Sequence, residues 1–217
     1  MTTTQHPQKA NTTRKTITQM AVGAVTGGAA MIAILKLMGF SSDNTIAPDV
    51  IIAVGVAMIY GLMAVVVGAG TLVPKAGATL LNVVDAQELR DEKPNLLWSA
   101  AGCLCIALLI AALALAVGPD AYLEGQSAAV LVLIAIAGLI VTTWMTWGKA
   151  DELMRRVSTE TSELAFALTA VVFGGWAALV ILDRAVMFSP IAFVSGLFGL
   201  LLLAMFWVVG KRGMMTS

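Results

Sequence analysis

Cys103 and Cys105 are the residues of this chain best suited by type to redox or covalent chemistry, and they stand as C-x-C in an apolar run. On a helix that spacing turns the two side chains about 200° apart, and a disulfide between them would break helical geometry. A reactive thiolate needs an electropositive, accessible setting, which the apolar flanks do not supply. Both are therefore expected to be small buried hydrophobes. His6, the one histidine, lies in a polar tail. No apolar stretch carries histidine, which excludes His-ligated haem, His-ligated di-metal centres and a Ser–His protease dyad. Lys36 is the one ionisable residue inside an apolar stretch, close enough to its end for the ammonium to snorkel to the headgroups, with Asp43 or Asp49 as partners. Thr142, Thr143 and Thr146 either bond their own backbone carbonyls or line a small polar cavity with Tyr60. The chain has no paired glutamates, no DxxD motif and no phosphate-cradling loop. The expectation is no catalytic residue, no metal ligand and no cofactor.

The elements that must carry these residues follow from composition. Apolar residues make up 59% of the 217 and charged residues 12%, about half the charged share of a soluble domain. Lipid must therefore solvate much of the surface. Six windows, 17–40, 50–73, 96–118, 126–148, 163–183 and 188–210, reach the roughly 20 apolar residues a membrane-crossing helix needs. They lack the alternation of barrel strands, and backbone groups in hydrocarbon must pair within their own segment. The expected fold is all-α, an integral membrane protein of six helices over 17–212, with a disordered tail at 1–16 and a short one at 213–217. The first window is longer than a signal-peptide core and has no A-x-A site after it, so it is expected to stay as a helix.

Charge sets the expected topology, because Lys and Arg gather on the cytoplasmic side. Lys9, Arg14 and Lys15, then Lys75, Arg90 and Lys93, then Lys149, Arg155 and Arg156, then Lys211 and Arg212 fall in segments that share one side of a six-helix chain. The opposite loops hold one cation, Arg184, beside Asp43, Asp49, Asp120, Glu124 and Asp183. Both termini are expected in the cytoplasm. Trp98, Trp147 and Trp207 then sit near headgroup level, while Trp144 and Trp176 lie deeper, where packing is their expected role.

Two segments on the cation-rich side are amphipathic, near 76–93 and 149–163. The first has Leu80, Leu81, Val84 and Leu89 near one helical face and ends at Pro94. The second has no Pro or Gly and can run straight into the fifth span, giving one helix from about 150 to 183, with Glu152 and Arg156 at ion-pair spacing. Each is either a solvated helix end or a docking surface, with Arg90, Glu152, Arg155 and Arg156 as candidate contacts. A-Q-E-L-R at 86–90 faintly matches A-D-E-L-M-R at 150–155, which raises a parallel repeat of spans two–three and four–five, a transporter feature. Gly23-x-x-x-Gly27, with Ala24 and Gly28, is a small-residue face for close helix packing.

The Gly-rich first span, L-L-N-V-V-D-A-Q-E-L-R, A-G-C-L, D-E-L-M-R-R and the closing V-G-K-R-G resemble those of uncharacterised small polytopic inner-membrane proteins of alphaproteobacteria. The resemblance implies a bacterial inner membrane and no established activity. The favoured expectation is a non-enzymatic accessory or regulatory subunit. Its partners would be membrane lipids and another membrane or cytoplasmic protein, and no nucleic acid. A small transporter or channel built on the repeat is the alternative, and a lipid-acting enzyme ranks last.

Overall fold

The structure, a computed structural model, describes residues 47–72, 93–117, 121–147 and 152–212. The regular secondary structure of these residues is all helical, with no strand among them, and five helices are long and apolar enough to cross a membrane. They are α1 (Pro48–Leu72), α2 (Lys93–Leu115), α3 (Gly125–Trp147), α4 (Glu152–Ile181) and α5 (Pro190–Lys211). They match the second to sixth windows. The first window, with Gly23, Gly27, Gly28 and Lys36, lies outside the described residues, as do His6, Arg90 and segment 76–92.

Local chemistry explains the ends. Pro48, Pro94 and Pro190 stand at the first or second position of α1, α2 and α5, where a missing N–H is no loss. Ser189 caps α5, its Oγ accepting from Ala192 N at 3.2 Å. α4 closes in a Schellman turn. Asp183 N–H donates to Val180 O at 3.0 Å and Arg184 N–H to Leu179 O at 2.9 Å. Asp183 takes the left-handed conformation, φ 54°, which Asp tolerates better than most residues.

Helices consecutive in the chain alternate in direction. Gly61 and Gly68 of α1 lie against Ala107 and Ala100 of α2, where a Cβ on either glycine would stand 3.9 Å from the alanine methyl. This small-residue seam lets the two backbones approach. α2 meets α3 antiparallel, through Gly102 beside Thr142 and Cys105 against Gly138. α1 and α5 run parallel. Ser189 Oγ donates to the Asp49 carboxylate, joining the two helix N-termini, where a negative charge complements both helix dipoles. One turn or more further in, Tyr60 OH donates to Phe198 O at 3.1 Å. The order of packing is α3–α2–α1–α5–α4, with α2 also touching α5. The core therefore sits among α1, α2 and α5, where Tyr60, Ala107 and Leu202 are buried together with Cys103 beside them.

α1 and α2 pack along their length, and α3 and α4 do not. The two halves of the supposed repeat thus differ in packing, and the repeat gains no support. The cavity of Thr142, Thr143 and Thr146 with Tyr60 is also absent among the described residues. Thr142 bonds Leu139 O at 3.0 Å and Thr146 bonds Thr142 O at 2.9 Å, while Tyr60 is turned to α5. Trp144 does not pack inside the chain as expected, being 80% exposed. Trp176 finds its partner in its own hairpin, where its indole N–H donates to Val186 O at 3.0 Å. Cys103 and Cys105 are free thiols on different helix seams, in keeping with their angular separation, but both are half-buried and not the fully buried hydrophobes expected.

Candidate partner-contact surface

The alternation of helices sorts the charges. Asp49, Glu124, Asp183 and Arg184 gather at the end where α1 and α5 begin. Lys93, Arg155, Arg156, Lys211 and Arg212 gather at the other, with Glu152, Glu160 and Glu163, so that cations outnumber acids at that end only. At that second end α4 runs on past the end of α5. Arg212, just past α5, bonds Glu160 in fork fashion, Nη2 to Oε1 at 2.6 Å and Nε to Oε2 at 3.2 Å. Glu160 therefore marks the level where α5 stops. The eight residues of α4 before it extend about 12 Å further, at 1.5 Å per residue.

The projecting part of α4 is amphipathic where the spans are not. Val157, Thr161 and Ala165 are buried. Glu152, Arg155, Arg156, Thr159, Glu160 and Glu163 share the opposite face and line an open depression of about 670 Å³. Nothing in 152–169 breaks a helix, and the low hydropathy of its first half keeps that face polar. The spacing of Glu152 and Arg156 leads to the expected ion pair, at 2.7 Å. Arg155 is exposed, and its guanidinium has no partner among the described residues. The structure thus brings Glu152, Arg155 and Arg156 together, and adds Thr159, Glu160, Glu163 and the α5 terminus. Sequence reasoning missed the Glu160–Arg212 bond. Fifty-two positions separate the two residues, and no local pattern links them.

Arg212, hydrogen-bonded to Glu160, holds its carboxyl below the ordinary carboxylate range. Lys211 and Arg156 add to this by their charge, against a smaller opposing effect of desolvation. A carboxylate whose folded pKa is depressed stabilises the fold above its unfolded pKa, about 4.3 for Glu. That contribution is lost as pH falls through the lower folded value. Acidification past this window is expected to loosen the contact between α4 and the end of α5, read as lower hydrogen-exchange protection at 208–212 relative to the intrinsic exchange rate at each pH. Glu160→Gln should show the lower protection at every pH. A wild-type protection that does not change on acidification would refute the assignment.

An apolar groove of about 800 Å³ lies near the same end, lined by Leu139, Ile140, Thr143, Trp144 and Trp147 of α3. Among the described residues, no three His, Cys, Asp or Glu side chains converge as metal ligands would. No family model, curated protein or solved structure matches this chain.

Proposed function

We propose that the chain is a non-enzymatic accessory or regulatory subunit of a complex in a bacterial inner membrane, and that the α4 ledge is its contact with a cytoplasmic partner or domain. The observation that carries this reading is the ledge itself. It is a helix that runs about 12 Å past the end of α5 and presents mixed charge. Its Arg155 has no partner among the described residues. A bare helix end would not need Glu160 tied to Arg212, which fixes the height and facing of the surface. Electrostatic patterns of this kind set specificity and encounter rate more than raw affinity.

Orientation belongs to the same proposal. The cation-rich end is the cytoplasmic one by the positive-inside rule, and with the first window as a sixth span both termini share that side. The likeness to small alphaproteobacterial inner-membrane proteins points the same way. In a Cys103→Ala/Cys105→Ala background, Thr45→Cys and Tyr122→Cys should label from the periplasm. Arg90→Cys and Gly213→Cys should label only from the cytoplasm. Cytoplasmic labelling at 122 would sink the topology.

The docking claim is tested by affinity purification in mild detergent. The double change Arg155→Glu/Arg156→Glu places like charges against whatever the ledge meets, and like-charge juxtaposition costs several kcal/mol. Recovery of a stoichiometric partner should fall about tenfold or more, at roughly 1.4 kcal/mol per decade, with the chain's own membrane level unchanged. Topology must be checked in the same variant, since these residues also carry the orientation signal. Unchanged recovery with unchanged topology would reduce the ledge to a solvated helix end.

A further inference from the structure

α4 is not a regular helix throughout. Residues Ala170–Gly174 form a π turn, followed directly by Gly175. Such a turn holds one residue more than α geometry would, and π turns inside α-helices often mark functional positions. Its effect can be read from the inward line of α4. Val157, Thr161 and Ala165 are buried at intervals of four. At 100° per residue, Val172 would come within roughly 20° of the line through Thr161, and Phe173 would stand roughly 120° away. The observed order is the reverse. Val172 is 45% exposed, and Phe173 reaches α5. Its ring lies 4.8 Å from Phe193 and 5.4 Å from Phe188, centroid to centroid. Gly196 makes room for it, because a Cβ there would stand 2.7 Å from Phe173 Cζ.

α4 is thus held to its hairpin at two places that regular geometry could not satisfy together. One is the Phe173 seat, backed by the Trp176 bond to Val186. The other is the Glu160–Arg212 fork. The seat lies next to the covalent turn into α5. The fork is an exposed ion pair, and such pairs hold weakly. If the extra residue were released, the ledge half would be the one to move.

We propose that the π turn is a one-residue register device: with Phe173 seated against Gly196, Glu160 faces Arg212, and with Phe173 unseated, α4 reverts to regular geometry and Thr161 takes that place. The ledge turns by about 100° and moves by about 1.5 Å. Thr161 suits the second register, since its buried hydroxyl has no hydrogen-bond partner among the described residues in the first. The facing of the ledge is then governed from the opposite end of the helix. This coupling is a property of the chain and holds whether or not the ledge meets a partner.

Cross-linking in membrane vesicles tests it, in full-length chain with Cys103→Ala and Cys105→Ala. Two cysteine pairs are compared with a short bis-maleimide, Glu160→Cys/Arg212→Cys and Thr161→Cys/Arg212→Cys. In the otherwise unaltered chain the 160 pair should dominate. Phe173→Ala should shift the 161-to-160 ratio upward by about tenfold, one decade for about 1.4 kcal/mol of preference. Deleting Gly174 as well removes the surplus residue, so the ratio should return to its original value. A ratio unmoved by Phe173→Ala would overturn the proposal. So would a shift that the deletion does not reverse, because that is general loosening. Deletion of Gly174 alone covers the case in which Phe173→Ala fails to insert. It must leave the 160 pair dominant, and loss of that preference in an inserted chain would equally overturn the device.

Discussion

Tyr60→Ala is expected to be the most damaging single change to this fold. The ring is buried among α1, α2 and α5, packs edge-on to Phe198 with centroids 6.1 Å apart, and donates its hydroxyl to the Phe198 carbonyl. Aromatic-to-Ala changes in water-surrounded cores cost about 3–5 kcal/mol, part transfer and part cavity. Where lipid is the solvent the transfer share shrinks and the lost packing remains, so a cost of about 2–3 kcal/mol is expected. Tyr60→Phe removes the hydroxyl alone. Interhelical hydrogen bonds in membranes average about 0.6 kcal/mol, so this variant should lose several-fold less. Denaturant titration of the detergent-solubilised chain, followed by Trp fluorescence, separates the two. Equal losses for Ala and Phe would mean that the hydroxyl, and not the packed ring, holds α1 to α5.

The second large effect is expected at the seam of α2 and α3. A Cβ on Gly138 would stand 2.6 Å from Cys105 Sγ, a distance that forces one of them to move. Overpacking of this kind costs about 1–3 kcal/mol. Gly138→Ala should therefore destabilise the chain by that amount in the same titration. Cys105→Ala removes the sulfur that obstructs it. The double variant should recover most of the loss, giving a coupling energy of about 1 kcal/mol or more, as contacting residues do. Additive effects would place the sulfur elsewhere. The same pair assigns Cys105 a steric role, and the core neighbours of Cys103 make its role one of packing as well.

Much of the fold could be read from hydropathy because each span is decided by its own residues. A run of apolar side chains in hydrocarbon has to satisfy its backbone internally, so four helices appear within a few residues of the expected windows, and α4 within a few residues of the longer helix expected over 150–183. Three of their starts coincide with prolines. The α4 ledge was also legible. Among the described residues it is the stretch where polar and apolar residues separate by face, and the Glu152–Arg156 spacing needs only one helix to form an ion pair.

The contacts between helices were not legible, and the reason is physical. A span that is apolar all round has no direction in its sequence, so nothing in α1 says whether Gly61 or Ile59 meets α2. The small-residue seam at Gly61 and Gly68 looks, in sequence, no different from the face at Gly23 and Gly27. Asp49 and Ser189 are 140 positions apart, and each alone is an ordinary helix-start residue. The π turn follows no composition rule; even Gly174-Gly175 marks only where a helix is easily deformed. It is needed because Phe173 and Glu160 must both reach α5.

By itself, then, the sequence determined what local physics determines: a helical membrane protein, where five of its spans lie, where its cations gather, and a polar extension at the start of one helix. Only the tertiary structure decided which helices touch, with α1, α2 and α5 at the core and α3 and α4 at the margins. It also brought Arg212 of α5 onto Glu160 of α4. These contacts depend on side chains brought together from distant parts of the chain, whose match in size and hydrogen bonding exists only once the helices are packed.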